Sequence, residues 1–136
     1  MNHFNATEQA VFIWMVGHSP HGVAICSQFT TAVFRSRDND GQRFRTAFKV
    51  SPNPACRLAP RRAVGAVAAR IGGLEHGMTF TLWTDDQGYL RAMVGTAFGE
   101  SIAGLDFETA QVELYAAPQR DPRSAAPDPR KSSRPG

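Results

Sequence analysis

The chain has 136 residues, of which 42% are hydrophobic and 20% charged, and its formal net charge is +3. This length supports one domain around one hydrophobic core, and the composition is that of a globular protein. The longest apolar run, residues 10–16, is far shorter than the ~20 residues that cross a bilayer. No Lys or Arg precedes this run, as a secretory signal would require. We therefore expect a cytoplasmic protein with no membrane partner.

The net charge is unevenly distributed along the chain. Residues 118–136 hold five Arg or Lys and two Asp, so the net charge of +3 lies there and residues 1–117 are neutral. The same segment has five prolines and no large apolar side chain, so we predict a single domain, residues 1–117, followed by a disordered Pro/Arg-rich tail, residues 118–136. Within the domain, residues 35–70 carry nine cations and two anions, whereas residues 71–117 carry seven anions and one cation.

The first predicted element is a helix. Asn5 followed by Glu8 is a variant of the capping box, and it predicts a helix over residues 6–16 that ends at Gly17. The second half of this helix is apolar on all sides, so we expect it to be buried or to form a dimer. The next segment, residues 23–29, fits either a strand or a short helix, and its β-branched residues favour a strand.

A hairpin follows, with its turn at Asp38-Asn39-Asp40-Gly41. We interpret this turn as a three-residue loop with a bulge, which pairs Asp38 with Gln42. In that register the apolar side chains of both strands share one face of the hairpin. The opposite face then holds five cations: Arg35, Arg37, Arg43, Arg45 and Lys49.

The remaining elements complete an α+β domain. Pro60 begins a predicted second helix, because apolar residues recur at helical spacing from Val64 to Ile71. A second hairpin spans residues 79–94 and places Trp83 opposite Arg91, and a last strand covers residues 111–116. We predict a mostly antiparallel sheet built from two hairpins, with two helices packed on one face.

The basic face of the first hairpin is the main candidate site. Like charges on one face repel one another unless an anion covers them, and nucleic-acid phosphates would do so. The predicted nucleic-acid or anion-binding residues are Arg35, Arg37, Arg43, Arg45, Lys49, Arg61 and Arg62. A competing explanation is that three carboxylates lie alongside the hairpin and neutralise it, namely those of Asp106, Glu108 and Glu113.

Signals for catalysis or metal binding are weak. His18, His21, Cys26 and Cys56 have ligand chemistry, but their spacings match no zinc site that we can derive. The chain contains no phosphate-binding glycine motif and no nucleophile with a base and an orienting acid. We therefore predict no catalytic residue, no metal and no cofactor, and a role in binding rather than catalysis.

Two known architectures are partly similar to this sequence. A hairpin, an alanine-rich helix and a strand ending in Leu82-Trp83-Thr84-Asp85-Asp86 resemble the middle of the ribonuclease H-like fold. The resemblance implies that Asp85 is a magnesium ligand and that a helix begins near Gln87. The other carboxylates of two-metal chemistry have no counterpart here, so only a degenerate member is implied. A winged helix-turn-helix would need a recognition helix within residues 23–34, where no Lys or Arg occurs.

We predict a small nucleic-acid-associated accessory or regulatory protein, whose basic hairpin and basic tail contact phosphates. The alternative is a protein-interaction or dimerising module, in which the arginine face meets an acidic surface on a second copy or on another protein. The two hypotheses differ in salt response, because phosphate contacts release counterions and a hydrophobic interface does not.

Overall fold

The computed structural model describes residues 4–117, so the predicted tail lies outside the described residues. The elements in chain order are α1 (Ala6–His18), α2 (Gly22–Phe29), β1 (Val33–Asn39), β2 (Arg43–Lys49), a 3-10 turn (Pro54–Cys56), β3 (Ala63–Ile71), β4 (Met78–Thr84), β5 (Leu90–Ala97) and β6 (Val112–Ala116). The strands form one antiparallel sheet in the order β1-β2-β5-β4-β3-β6. Both helices pack on one face, which confirms the predicted α+β class. Within residues 4–117, no helix is long and apolar enough to span a membrane.

Helix α1 begins as the sequence predicts. The Asn5 side chain accepts the backbone N–H of Glu8 at 2.8 Å, and the Glu8 carboxylate accepts the N–H of Asn5 at 2.8 Å. The predicted end at Gly17 is wrong, because the helix continues to His18. The His18 ring stacks on Trp14 with centroids 4.1 Å apart, and its Nδ1 lies 2.9 Å from the Trp14 carbonyl oxygen. These contacts support the last turn beyond the glycine.

Residues 22–29 form helix α2, so the expectation of a strand is wrong. Ile25 and Gln28 point into the core and are almost fully buried. Their spacing of three residues places them on the same face of a helix. A Cβ on Gly22 would come within 2.1 Å of the Val16 carbonyl oxygen. Glycine therefore lets α2 start in direct contact with the end of α1, and this packing outweighs the β-branched composition of the segment.

Residues 63–71 form strand β3, so the predicted second helix is wrong. The strand lies between β4 and β6, where it is hydrogen-bonded on both sides. Val67, Ala69 and Ile71 point towards the helices and are buried, while Ala66 and Arg70 are exposed. Ala68 points to the opposite side of the strand, but it is small and is buried as well. This additional buried residue gives the apolar positions of the strand a helical spacing by coincidence.

The first hairpin exists, but its predicted register is wrong. Asp38 pairs with Arg45 rather than with Gln42, and Asn39 pairs with Phe44. The loop has two residues, with Gly41 at φ +93°, and Asp40 N–H donates to the Arg43 carbonyl oxygen at 3.0 Å. A positive φ at the first loop position is typical of a type II′ turn. The register also shifts between Phe34 and Ser36, where a bulge reverses the alternation of faces.

The second hairpin, β4–β5, is confirmed, but it too carries a bulge. Trp83 pairs with Ala92 rather than with Arg91, and Leu82 pairs with Met93. Met93 therefore faces the core, where it is fully buried. Neither bulge can be recognised in the sequence. Each one shifts the alternation of inward and outward side chains by a single residue, and both strands mix polar and apolar residues, so the shift leaves no visible pattern.

Candidate functional site

The face of the sheet opposite the helices, here called the outer face, is open to solvent across most of its width. Strand register aligns its side chains in rows. One row crosses five strands through Asp38, Arg45, Val94, Thr81 and Ala66. The next row crosses through Ser36, Ala47, Ala92, Trp83 and Ala63. Most side chains in these two rows are therefore small, and the large ones are those of Arg45 and Trp83.

A groove of about 430 Å³ lies on the outer face between strand β4 and the first hairpin. We call it the Trp83 groove. Its lining residues are Asp38, Asp40, Arg43, Phe44, Arg45, Trp83, Arg91, Ala92 and Val94. Ala92 and Val94 form an apolar floor because β5 runs beneath the groove between β2 and β4.

The indole of Trp83 forms one wall of the Trp83 groove and is 37% exposed. Its Nε1–H donates to Thr81 Oγ1 at 2.9 Å, two residues along the same strand. This hydrogen bond fixes the ring orientation before any ligand arrives. A fixed, half-exposed aromatic ring beside small floor residues leaves an open π surface at low entropic cost.

Two further depressions, of about 520 and 490 Å³, adjoin the Trp83 groove, and Arg91 lines all three. One of them contains Arg61 and the other contains Arg35 and Lys49. The lining cations of the three sites are Arg35, Arg43, Arg45, Lys49, Arg61 and Arg91. The lining carboxylates are Asp38, Asp40, Asp85 and Asp86. The continuous surface is thus basic in balance but carries both signs of charge.

Most of these cations have no ion-pair partner within the described part of the chain. Arg43, Arg45 and Arg91 form no salt bridge within residues 4–117, and Arg61 lies 3.6 Å from Asp86. Arg45 stands opposite Asp38 in the strand register without closing an ion pair. The guanidinium groups of Arg45 and Arg91 are therefore available to meet a ligand anion.

The Asp40 carboxylate forms hydrogen bonds within the turn of the first hairpin. Its carboxylate accepts the backbone N–H of Gln42 at 2.9 Å and that of Arg43 at 2.8 Å. These two hydrogen bonds, with the nearby Arg43 charge, hold the pKa of the Asp40 carboxyl below its usual value. The carboxylate thus stabilises the turn and adds a permanent negative charge at the end of the Trp83 groove.

The structure removes one predicted site residue from the basic face. Because of the bulge beside Phe34, Arg37 points towards the helices and pairs with the buried Glu8 carboxylate, with Arg37 Nε 2.8 Å from Glu8 Oε2. The predicted set of five cations on one hairpin face is therefore wrong at this position. Its place is taken by Arg91 of β5, which lines the Trp83 groove.

Arg61 and Arg62 precede β3 instead of starting a helix. Arg61 adopts a left-handed conformation, with φ 54°, and its N–H donates to the Asp85 carbonyl oxygen at 2.9 Å. Arg62 N–H donates to Thr84 Oγ1 at 3.2 Å, and its side chain lies outside the lining of the Trp83 groove. The structure thus brings Arg35, Arg43, Arg45, Lys49 and Arg61 to one surface and leaves Arg62 beside it.

The three carboxylates expected to neutralise the hairpin lie elsewhere. Strand β6 is at the opposite edge of the sheet from β1, and Glu113 pairs there with Arg70 at 3.3 Å. Glu108 accepts the N–H of Ala6 at 3.1 Å, and Asp106 accepts the N–H of Glu108 at 2.9 Å. Asp38 and Asp40, within the hairpin itself, are instead the carboxylates that lie among its cations in the lining of the Trp83 groove.

The structure also contradicts the ribonuclease H-like resemblance. The alanine-rich segment is a strand, and the residues after Gln87 form a turn and strand β5 rather than a helix. Asp85 Oδ1 accepts the N–H groups of Gln87 and Tyr89 at 2.8 and 3.0 Å, which is a turn-forming role. In residues 4–117, no cluster of three or more His, Cys, Asp or Glu side chains is arranged to hold a metal ion.

No protein-family model, curated protein or solved structure matches this chain.

Proposed function

We propose that this protein binds single-stranded nucleic acid on its outer sheet face, as a non-enzymatic accessory protein of the cytoplasm. The observation that supports this proposal is the Trp83 groove, in which an oriented indole faces arginines across an apolar floor. Proteins that bind single strands combine a positively charged groove with aromatic rings on which bases stack. The basic hairpin and the predicted basic tail then add phosphate contacts.

A single strand fits this surface better than a duplex. In a duplex the bases are stacked on one another, so an indole on a flat sheet cannot reach a base face. The end of the hairpin, which would have to enter a duplex groove, carries Asp38 and Asp40. Their charges would lie among phosphates of the same sign. We therefore expect weaker binding to duplexes than to single strands.

The second candidate function is association of two copies through the outer face. That surface carries arginines without ion-pair partners in residues 4–117 together with the exposed Asp38, so it can complement itself across a two-fold axis. Sedimentation equilibrium of the full chain distinguishes the two cases. Dimerisation through this face would make nucleic acid compete with self-association, whereas the proposed function requires a monomer that binds nucleic acid directly.

The test is fluorescence anisotropy of the full chain with labelled twelve-nucleotide single strands, from about 50 to 200 mM salt. We expect binding with a steep salt dependence. Arg91→Gln should flatten the logarithmic slope by about 0.7 if one phosphate contact is lost. Arg45→Gln should weaken binding because it removes a charged hydrogen-bond donor from the groove. Arg70→Gln is the matched control, because Arg70 lies on the same face but is paired with Glu113 and packs over the Tyr115 ring.

Two results would contradict the proposal. Absence of binding at low salt would favour the protein-interaction alternative. Equal affinities for the wild-type chain, Arg45→Gln and Arg91→Gln would place the contact outside the Trp83 groove. Because all variants keep residues 118–136, any contribution of the tail cancels in the comparison.

A further inference from the structure

Asp38 is the feature of the Trp83 groove that phosphate binding does not explain. Its side chain is exposed on the outer face, in the same row as Arg45. Among residues 4–117 it accepts no hydrogen bond and forms no ion pair, although arginines line the same groove. A surface that met only phosphates would gain from having no carboxylate there, because like charges repel.

A ligand that satisfies the whole groove must combine three properties. It needs a flat aromatic ring for Trp83, hydrogen-bond acceptors for Arg45, and hydrogen-bond donors for the Asp38 carboxylate. A nucleic-acid base has all three, but the bases differ in how many donors they offer. Guanine presents O6 and N7, which pair with an arginine in a bidentate manner. It also presents N1–H and N2–H side by side, which match the two oxygens of one carboxylate.

We infer that the Trp83 groove selects guanine in a single strand. The ring lies against Trp83, the N1–H and N2–H groups face Asp38, the O6 and N7 atoms face Arg45, and the adjoining phosphate reaches Arg91. This inference rests on the proposed function and adds the identity of the recognised base. Adenine and cytosine each offer one amino group to the carboxylate, and thymine or uracil offers one ring N–H, so each leaves one carboxylate oxygen without a donor.

The dimensions of the groove limit its occupant to one base. Strands β1 and β4 are separated by two intervening strands, which places their backbones about 14 Å apart. The Trp83 indole fills part of this width, so the space that remains accepts a single planar base and not a base pair. A guanine already paired with cytosine also has its N1–H and N2–H groups occupied, and it could not use Asp38.

The test uses the full chain and labelled ten-nucleotide thymidine strands with one central substitution. The central positions compared are thymidine, adenosine, cytidine, guanosine and inosine, which lacks the N2 amino group of guanosine. We expect the guanosine strand to bind about tenfold more tightly than the others, with inosine in between. Asp38→Asn should abolish this preference without weakening binding of the all-thymidine strand. Glu113→Gln, at the far edge of the same face, should leave the preference unchanged.

The outcomes separate this inference from the proposed function. Equal affinity for all five strands, unaltered by Asp38→Asn, would overturn guanine selection while leaving single-strand binding intact. Binding of none of the strands would overturn both. Guanosine monophosphate should displace the guanosine strand only at far higher concentration. Equal affinity of this mononucleotide and the strand would keep guanine recognition and overturn binding of single strands.

Discussion

Glu8 is the only charged residue of α1 and α2, and its side chain is fully buried. Its carboxylate accepts hydrogen bonds from the Asn5 N–H, from the Arg37 guanidinium and from the Thr46 hydroxyl. A buried carboxylate with this many donors is well satisfied, and it ties the start of α1 to the first hairpin. The same interaction explains why Arg37 is absent from the outer face.

Removing the partner of Glu8 should therefore destabilise the fold strongly. Arg37→Met leaves a buried carboxylate without its cation, and we expect the free energy of unfolding to fall by about 3–5 kcal/mol. The measurement is urea unfolding followed by circular dichroism. Arg45→Gln, an exchange on the exposed face, should change stability by less than about 0.5 kcal/mol. Equal effects of the two substitutions would contradict the stabilising role of the buried ion pair.

Glu100 has a comparable role between two loops. Its carboxylate accepts the N–H groups of Glu75 and His76 at 2.8 and 2.6 Å, and these bonds hold the pKa of Glu100 below its usual value of 4.5. Because the folded pKa is lower than the unfolded one, the carboxylate contributes stability above the unfolded pKa. This contribution is lost as pH falls through the folded pKa.

The acid sensitivity of Glu100 can be measured directly. Glu100→Gln cannot ionise, so its urea midpoint should lie below that of the wild-type chain at pH 7, and the difference should shrink as the pH falls through the lowered pKa of Glu100. Glu75→Gln removes a neighbouring exposed carboxylate that accepts no hydrogen bond within the described residues. Its curve should run parallel to the wild-type curve. Parallel behaviour of Glu100→Gln as well would refute the assigned cause.

At the scale of elements, the junction of α1 and α2 offers a test with two glycines. Gly17 lies inside α1, and no atom from outside its own helix lies within 4 Å of the position that a Cβ would take. A Cβ on Gly22, in contrast, would collide with the backbone of Val16. Gly17→Ala should stabilise the protein by about 0.5–1 kcal/mol through helix propensity. Gly22→Ala should destabilise it by about 1–3 kcal/mol through overpacking, as measured by urea unfolding. Stabilisation by both substitutions would contradict the close contact between Gly22 and the backbone of Val16.

Local sequence patterns identified some elements and missed others for definable reasons. The capping box and the two Gly-containing turns act through neighbouring residues, so the first helix and both hairpins could be predicted. Strand β3 and helix α2 were misassigned because their conformations depend on distant partners. Strand β3 is held by β4 and β6, and α2 is held by its contact with α1 and the sheet. Tertiary packing of this kind outweighs local propensity.

The candidate site was predictable only in part, for a related reason. The cation-rich hairpin is visible in the sequence, and Arg43, Arg45 and Lys49 do alternate along one strand to the exposed face. The bulge beside Phe34 sends Arg37 inward, and the strand order brings Trp83 and Arg91 next to the hairpin. A bulge and a strand order arise from the whole sheet, so the groove itself could not be seen in the sequence.

For the whole molecule, the two layers of the fold differ sharply in charge. The helical layer carries no Lys or Arg, and its single carboxylate is buried. The outer sheet face carries the exposed arginines together with the carboxylates that limit their net charge. Such an asymmetry directs a charged ligand to one side of the molecule and leaves the other side neutral. We therefore expect ligand binding to occur on the outer sheet face.

The most direct test of binding on this face is a ¹H–¹⁵N correlation spectrum of the full chain titrated with a ten-nucleotide single strand containing guanosine. We predict that the Trp83 indole N–H and the backbone amides around Arg45 and Arg91 shift first and furthest. The amides of α1 and α2, including those of the exposed Ile13 and Val23, should stay in place. Shifts confined to residues 118–136 or to the helices would contradict binding on the outer sheet face.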